Sequence, residues 1–169
     1  MSDGSRDQAA ANPGAAEAAL RLLLVDVYVL RQRGGALEAL VLRRASGRSP
    51  GSWEAVHGHV EAGEAPAEAA WREVIEETGL TPLRLYNLSR IEWFFLHRRD
   101  TVAVVPVFAV FVPDGTVQVS HEHDLAEWLP LEAARARLSW PRSRRALEDA
   151  AVLLADGSAG VLEDVLRVR

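Results

Sequence analysis

Glu73, Glu76 and Glu77 fall within an arc of about 100° if residues 66–78 are helical, because each helical residue turns about 100° and these are offset by three and four. Three carboxylates on one face repel one another, at a cost of a few tenths of a kcal/mol per pair. A cation between them turns that cost into binding. Carboxylate oxygens are hard ligands suited to magnesium or manganese rather than zinc, and magnesium typically combines one or two carboxylates with water and substrate phosphates. Such an ion can neutralise phosphate oxygens and activate water for in-line attack, which is what cleaving a diphosphate demands. The alternative is a solvated acidic face, the commonest fate of glutamates on a surface helix.

The helix itself is well signalled. Pro66 suits a first turn and Gly79, followed by Pro82, suits an end. Ala67, Ala70, Trp71, Val74, Ile75 and Thr78 recur at helical spacing, which predicts a buried side opposite the glutamates. Before the helix, two apolar runs at residues 22–30 and 36–42 flank Gly34-Gly35, a hairpin signal. Residues 47–51 read as a loop, and residues 53–60 as a short strand entering a turn at Gly58. After the helix, strands are predicted over residues 83–96 and 102–112, joined by the charged turn at 97–100. A last helical region spans about 131–154, with Pro141 as a break or new start. Strands on both sides of a central helix predict α/β layers around one sheet.

Written out, Gly58 is followed by five residues, Glu64, seven residues, and Arg72-Glu73-Val74-Ile75-Glu76-Glu77-Thr78-Gly79-Leu80. This resembles the Nudix box at every defined position. Seven fixed identities and two aliphatic positions would coincide by chance on the order of 10⁻⁷ times in a chain of this length. The resemblance implies a Nudix-type α/β/α sandwich with a mixed central sheet and a pyrophosphohydrolase activity. It further implies that Glu73, Glu76 and Glu77 bind or orient divalent metal (Mg²⁺, with Mn²⁺ the other fitting ion), that the Gly58 carbonyl completes the shell, and that Arg72 holds the glutamates. Glu64 would brace the loop or tune the metal face. One glutamate would act as general base, and the family varies in which, so Glu64, Arg72, Glu76 and Glu77 form the catalytic set.

His121-Glu122-His123-Asp124 forms a second constellation. Family members often add a metal-binding glutamate from this side, and Glu122 is the candidate; the bland alternative is a polar loop, and a zinc site from the two histidines lacks further ligands at a convincing spacing. For substrate, Arg44 ends the second strand where relatives place a phosphate-binding arginine, against the alternative of an exposed basic pair with Arg43. Trp53, Trp93 and Trp140 could stack on a base or pterin, although tryptophan in an apolar strand more often packs a core. His57 stands where many relatives carry glycine. Arg44, His57 and Trp53 are the substrate-binding candidates. Residues 121–150, with Trp128-Leu129 and Ser139-Trp140, are similar to the corresponding region of bacterial dihydroneopterin triphosphate and dATP pyrophosphohydrolases. A nucleoside or pterin triphosphate therefore ranks first, and a dinucleoside polyphosphate or nucleotide sugar next.

Composition trims the alternatives. With 24 acidic and 19 basic residues, a net charge of −5 offers no field for a polymeric nucleic acid. There is no cysteine, which argues against isopentenyl diphosphate isomerases, enzymes of the same scaffold that use one. A binding-only module would usually have lost box glutamates, and a glycosylase appendage would sit on a longer chain. The run at 20–30 is too short to span a bilayer, and without a recognisable leader the expected location is cytoplasmic. Residues 1–19, rich in Ala, Gly, Ser and Asp, are expected to form a mobile tail before one domain at 20–169. Many relatives are dimers, which makes a homodimer compatible with the resemblance, but no residue of the sequence marks an interface.

Overall fold

The computed structural model describes residues 19–169. The expected tail, residues 1–19, lies outside the described part except for Ala19, which opens the first strand. In chain order the elements are β1 (Ala19–Leu22), β2 (Leu24–Arg33), β3 (Ala36–Arg44), β4 (Trp53–Glu54), β5 (Val56–His59), α1 (Pro66–Thr78), β6 (Arg84–Leu96), β7 (Thr101–Phe111), β8 (His123–Pro130), α2 (Leu131–Arg137), α3 (Pro141–Leu153) and, after a short 3₁₀ turn, α4 (Glu163–Leu166).

β2 is the spine. It runs parallel to β7 and antiparallel to β3 and β5, so the sheet is mixed. β1 continues its line as a second parallel partner of β7, β6 pairs with β7 on the other side, and β4 and β8 pair with β3. The β2–β3 turn places Gly34 and Gly35 at φ 59° and 82°, the left-handed pair that a two-residue hairpin needs.

Helices cover both faces, which is why β2 is apolar almost throughout. Val25, Val27 and Val29 face α1 together with Phe108 and Val110, packed on Ala69, Ala70 and Val74. Tyr28 and Leu30 face the other way, towards Ala134, Leu138, Ala146 and Leu147 of the α2–α3 layer. The predicted α/β layering around a mixed sheet is thus found. Among the described residues no helix is long and apolar enough to cross a membrane.

Three sequence expectations need correction. Gly58 is not a turn residue: it lies inside β5, opposite Val25 of β2, and the turn comes at 62–63. Ile75 is exposed rather than buried, whereas Glu77 is buried, because the Glu77 edge of α1 is turned toward β5 and β4 while Glu76 stays exposed. β8 was not anticipated. Its sequence HDLAEWLP carries charges in mid-strand, since only one flank and one face are covered.

The C-terminus is tied back to β6 by Val168 N–H donating to the Leu85 carbonyl at 2.8 Å. Beside it, the Glu163 carboxylate accepts from Ala159 N–H at 2.9 Å and from Tyr86 O–H at 3.0 Å. The Ala159 N–H, with Tyr86 and Arg167, holds the Glu163 carboxyl below its usual range. A depressed carboxyl contributes stability that is present above the unfolded value and lost as the pH falls through the folded one. Glu163→Gln is therefore expected to lower the melting temperature by a few degrees near neutral pH, and the gap from wild type should close in acid; thermal melts across pH check it, and a gap independent of pH would refute it.

Candidate active site

A cleft of about 890 Å³ opens where β5, the second half of α1 and the β6–β7 hairpin meet. One wall is the glutamate helix. Pro66 begins α1, the Glu68 carboxylate accepts the Ala65 N–H at 3.1 Å, and the helix ends at Gly79. This fixes the rotation of α1, and with it the direction of four charged side chains.

Arg72 organises that wall. Its guanidinium donates to both oxygens of Glu64, each at 2.9 Å, and to Glu73 at 2.8 Å, Glu76 at 3.0 Å and the His59 carbonyl at 2.9 Å. A planar fork can satisfy so many acceptors; a lysine could not. The Arg72 fork, aided by the Glu61 N–H, drives the Glu64 carboxyl down to about 2. Glu64 accepts that N–H at 3.0 Å, so it ties the loop before α1 to the helix.

Glu77 is in the opposite condition. Burial first, then the charges of Glu73, Glu122 and Glu54, push its carboxyl up to about 9. Its buried Oε2 has no hydrogen-bond partner. Removing a carboxylate from water without pairing it is costly, so these surroundings suit a positively charged ligand. Gly58 leaves room for the neighbouring Glu73: a Cβ there would lie 1.9 to 2.3 Å from the Glu73 side chain. Among the described residues no three His, Cys, Asp or Glu side chains enclose an ion by themselves. Magnesium does not require such a cage, since it keeps several waters and shares phosphate oxygens. The oxygen-only donor set, with the unpartnered Glu77 oxygen, fits a divalent cation of that kind.

Glu122 also lines the cleft, 3.2 Å from Arg44. Arg44 bonds Glu54 as well, at 2.7 Å, so it enters the site already paired, while Arg43 turns away to a two-point contact with Asp124 at 2.8 Å. His121 is exposed, but His123 is buried, with Nε2 3.1 Å from Glu54 and Nδ1 3.9 Å from Glu77. Burial opposes ionisation of Glu54, yet the bonds from His123 and Arg44 outweigh it and hold the carboxyl low.

The far wall comes from the β6–β7 hairpin and the start of α3. His57 Nδ1 is in close contact with buried Asp26, and Arg142 Nε lies 3.5 Å from the other Asp26 oxygen. Burial would raise the Asp26 carboxyl, but His57 and Arg142 hold it below its usual range. The Arg142 guanidinium sits 4.8 Å from the Phe94 ring centre and 5.9 Å from that of Trp140, a cation–aromatic cluster.

The structure thus gathers Arg44, His57, Gly58, Arg72, Glu73, Glu76, Glu77 and Glu122 around one cleft, with Glu64 behind Arg72. It does not bring Trp53 there: that ring lies under Arg137 at 4.7 Å and packs on the α2–α3 core. Trp93 points to the outer face of β6, whereas Trp140 lines the cleft. Asp26, Glu54 and Arg142 were missed. A charge inside an otherwise apolar strand was the available signal for Asp26.

The sequence matches the NUDIX domain over residues 20–150. It is 37% identical over 129 residues to an octanoyltransferase of Myxococcus xanthus, covering 75% of this chain and 36% of that one. The chain spans 36% and 52% of the lengths of the first two curated relatives it matches. Among solved structures, a Caenorhabditis elegans Ap4A hydrolase in a binary complex superposes with TM-score 0.66 at 27% identity, covering 78% of this chain and 96% of the other. The dihydroneopterin triphosphate pyrophosphohydrolase of E. coli does so with TM-score 0.63 at 27% identity, covering 80% and 99%.

Proposed function

The chain belongs to the NUDIX domain family, and from that premise we propose that residues 20–169 form a pyrophosphohydrolase domain. It cleaves a diphosphate linkage of a nucleoside or pterin triphosphate with Mg²⁺, or Mn²⁺, bound at the glutamate wall. The observation that carries this reading is the buried, unpartnered Glu77 oxygen among Glu73, Glu122 and Glu54 at the floor of the cleft. Nudix enzymes generally use divalent metals, and such an ion, when bound, supplies charge neutralisation on phosphate oxygens and acidifies water. Glu73, Glu76, Glu77 and Glu122, with the Gly58 carbonyl, would hold it.

The chain's own groups do the rest. Arg72 keeps Glu73 and Glu76 oriented and Glu64 keeps Arg72 oriented, so the acidic wall reorganises little on binding. Arg44 is placed to meet a phosphate oxygen, at the expense of its pairing with Glu122. Trp140, Arg142 and His57, the last held by Asp26, line the part of the cleft where a flat heterocycle would sit.

The polyphosphate end admits a second reading. Arg48, Arg98 and Arg99 also line the cleft, enough positive charge for a longer phosphate chain, and the similar worm protein is an Ap4A hydrolase. A dinucleoside polyphosphate is the substrate class this favours. A phosphate-release panel of nucleoside triphosphates, pterin triphosphate, nucleotide sugars and dinucleoside polyphosphates, run with Mg²⁺ and again with chelator, separates these. Metal-dependent turnover of a triphosphate is expected, and turnover of only the dinucleoside compounds would favour the second reading. Binding without turnover of any member would refute hydrolysis.

A further inference from the structure

The cleft straddles an edge of the sheet. β5 pairs with β2 and, among the described residues, with no other strand; along that ladder Val25 stands opposite Gly58 and Asp26 opposite His57. The Gly58 position faces α1, where a Cβ would meet Glu73, so the alternation of the strand sends His57 and Asp26 to the other face, beneath α3. A second polar centre forms there. Asp26 is 4% exposed, set in an apolar strand between Val25 and Val27. One of its oxygens accepts the His57 Nδ1–H, and the other faces Arg142 Nε at 3.5 Å. Beside it Leu24 and Leu96, with Phe94 under the Arg142 guanidinium, give that half of the cleft an apolar floor.

Stability does not call for a carboxylate at this place, because apolar side chains in the space of a buried ion pair are often no worse for the fold. Its two partners differ from those of a purely structural pair: the His57 and Arg142 side chains stay 23% and 22% exposed, and both line the cleft. Taking the site as that of a pyrophosphohydrolase, we propose that Asp26 is a positioning residue. It holds His57 of β5 and Arg142 of α3 as one unit that grips the non-phosphate part of the substrate, a heterocycle carrying hydrogen-bond acceptors. With Nε turned to Asp26, Arg142 keeps its Nη groups for ring nitrogens or a carbonyl oxygen. A phosphate is the poorer occupant, because the glutamate wall lies across β5 on the opposite face and the floor here is apolar. Fixing both groups before the ligand arrives lowers the cost of ordering them, so Asp26 acts on affinity and specificity more than on the chemical step.

Asp26→Asn is the test, because both partners are donors and an amide offers them a single acceptor, so one contact must be lost. In steady-state kinetics with nucleoside and pterin triphosphates, KM is expected to rise at least about 10-fold while kcat stays within about threefold, the mark of lost uniform binding. Calorimetry with Mg²⁺ gives a readout independent of turnover. Affinity for α,β-methylene-ADP should fall by the same factor, while that for methylenediphosphonate, the same phosphonate without its nucleoside, should hold. Arg142→Gln should reproduce the pattern and serves if Asp26→Asn fails to fold; in the double variant the losses should be far from multiplicative. A folded Asp26→Asn protein with wild-type KM and affinities overturns the proposal. So does an equal loss for both phosphonates, or a wild-type chain that gains no affinity from the nucleoside. A wild-type chain that turns over no triphosphate refutes the hydrolase reading instead, and the two phosphonate titrations still decide for or against Asp26.

Discussion

Replacing Glu77 by Gln is expected to lower turnover about 10³-fold while leaving the fold intact. Gln keeps the volume and removes the charge, so the loss isolates electrostatics. A thousandfold loss corresponds to about 4 kcal/mol of transition-state stabilisation, the range found when a single preorganised charge-stabilising group is removed. The structure adds a signature that a merely disruptive change would lack. Glu77 is buried beside Glu73, Glu122 and Glu54 with one oxygen unpartnered, so without metal the native state disfavours its ionisation and must take up a proton there near neutral pH, which costs stability. In chelator, the Gln variant should melt no lower than wild type; on adding Mg²⁺, wild type should gain in melting temperature and the variant much less. Glu76→Gln should also cost turnover by orders of magnitude, but Glu76 is exposed and held by Arg72 alone, so no relief of burial is expected there. Steady-state kinetics with thermal melts decide the matter. A folded Glu77→Gln enzyme with undiminished turnover would remove the proposed site.

What the sequence could and could not disclose follows from which interactions are local. α1 was legible from Pro66 to Gly79, and the α2–α3 break from Pro141, because proline and glycine act on their own backbone. The β2–β3 hairpin was legible for the same reason. The helical wheel, however, divides a helix into apolar and polar faces and takes the polar one to be wet. That assumption misplaced Glu77, whose surroundings come from β5, the residues before β8 and β4, and it misplaced Ile75. β8 was missed because its pattern is mixed: it packs by one flank on β3, and Asp124, Glu127 and the exposed Leu125 blur the alternation. Asp26, Glu54 and Arg142 converge from three distant segments, and periodicity carries no information on convergence. Trp53 illustrates the converse. Its type suggested stacking, yet Arg137 covers its ring and Ser139 bonds its backbone, partners 84 and 86 positions away.

Gly58→Ala should damage the site nearly as much as losing Glu73 itself. The added Cβ would fall 1.9 Å from the Glu73 Cδ and 2.1 Å from its Cγ, far inside any allowed contact. β5 cannot retreat cheaply, since its neighbours on β2 are paired through the Val25 and Gly58 positions. The flexible Glu73 side chain must therefore swing away, giving up its 2.8 Å bond to Arg72. A drop in kcat of about 10²-fold or more is expected from misplacing one carboxylate of the wall, with a melting temperature lowered by only a few degrees because the clash is with a side-chain end. The mechanism makes a sharper demand on the double variant. If Gly58→Ala acts by displacing Glu73, then in a Glu73→Ala background the same substitution has nothing left to displace, and the two losses must be strongly non-additive. Independent, multiplicative losses in that cycle would show that Gly58 serves the backbone of β5 and not the space beside Glu73.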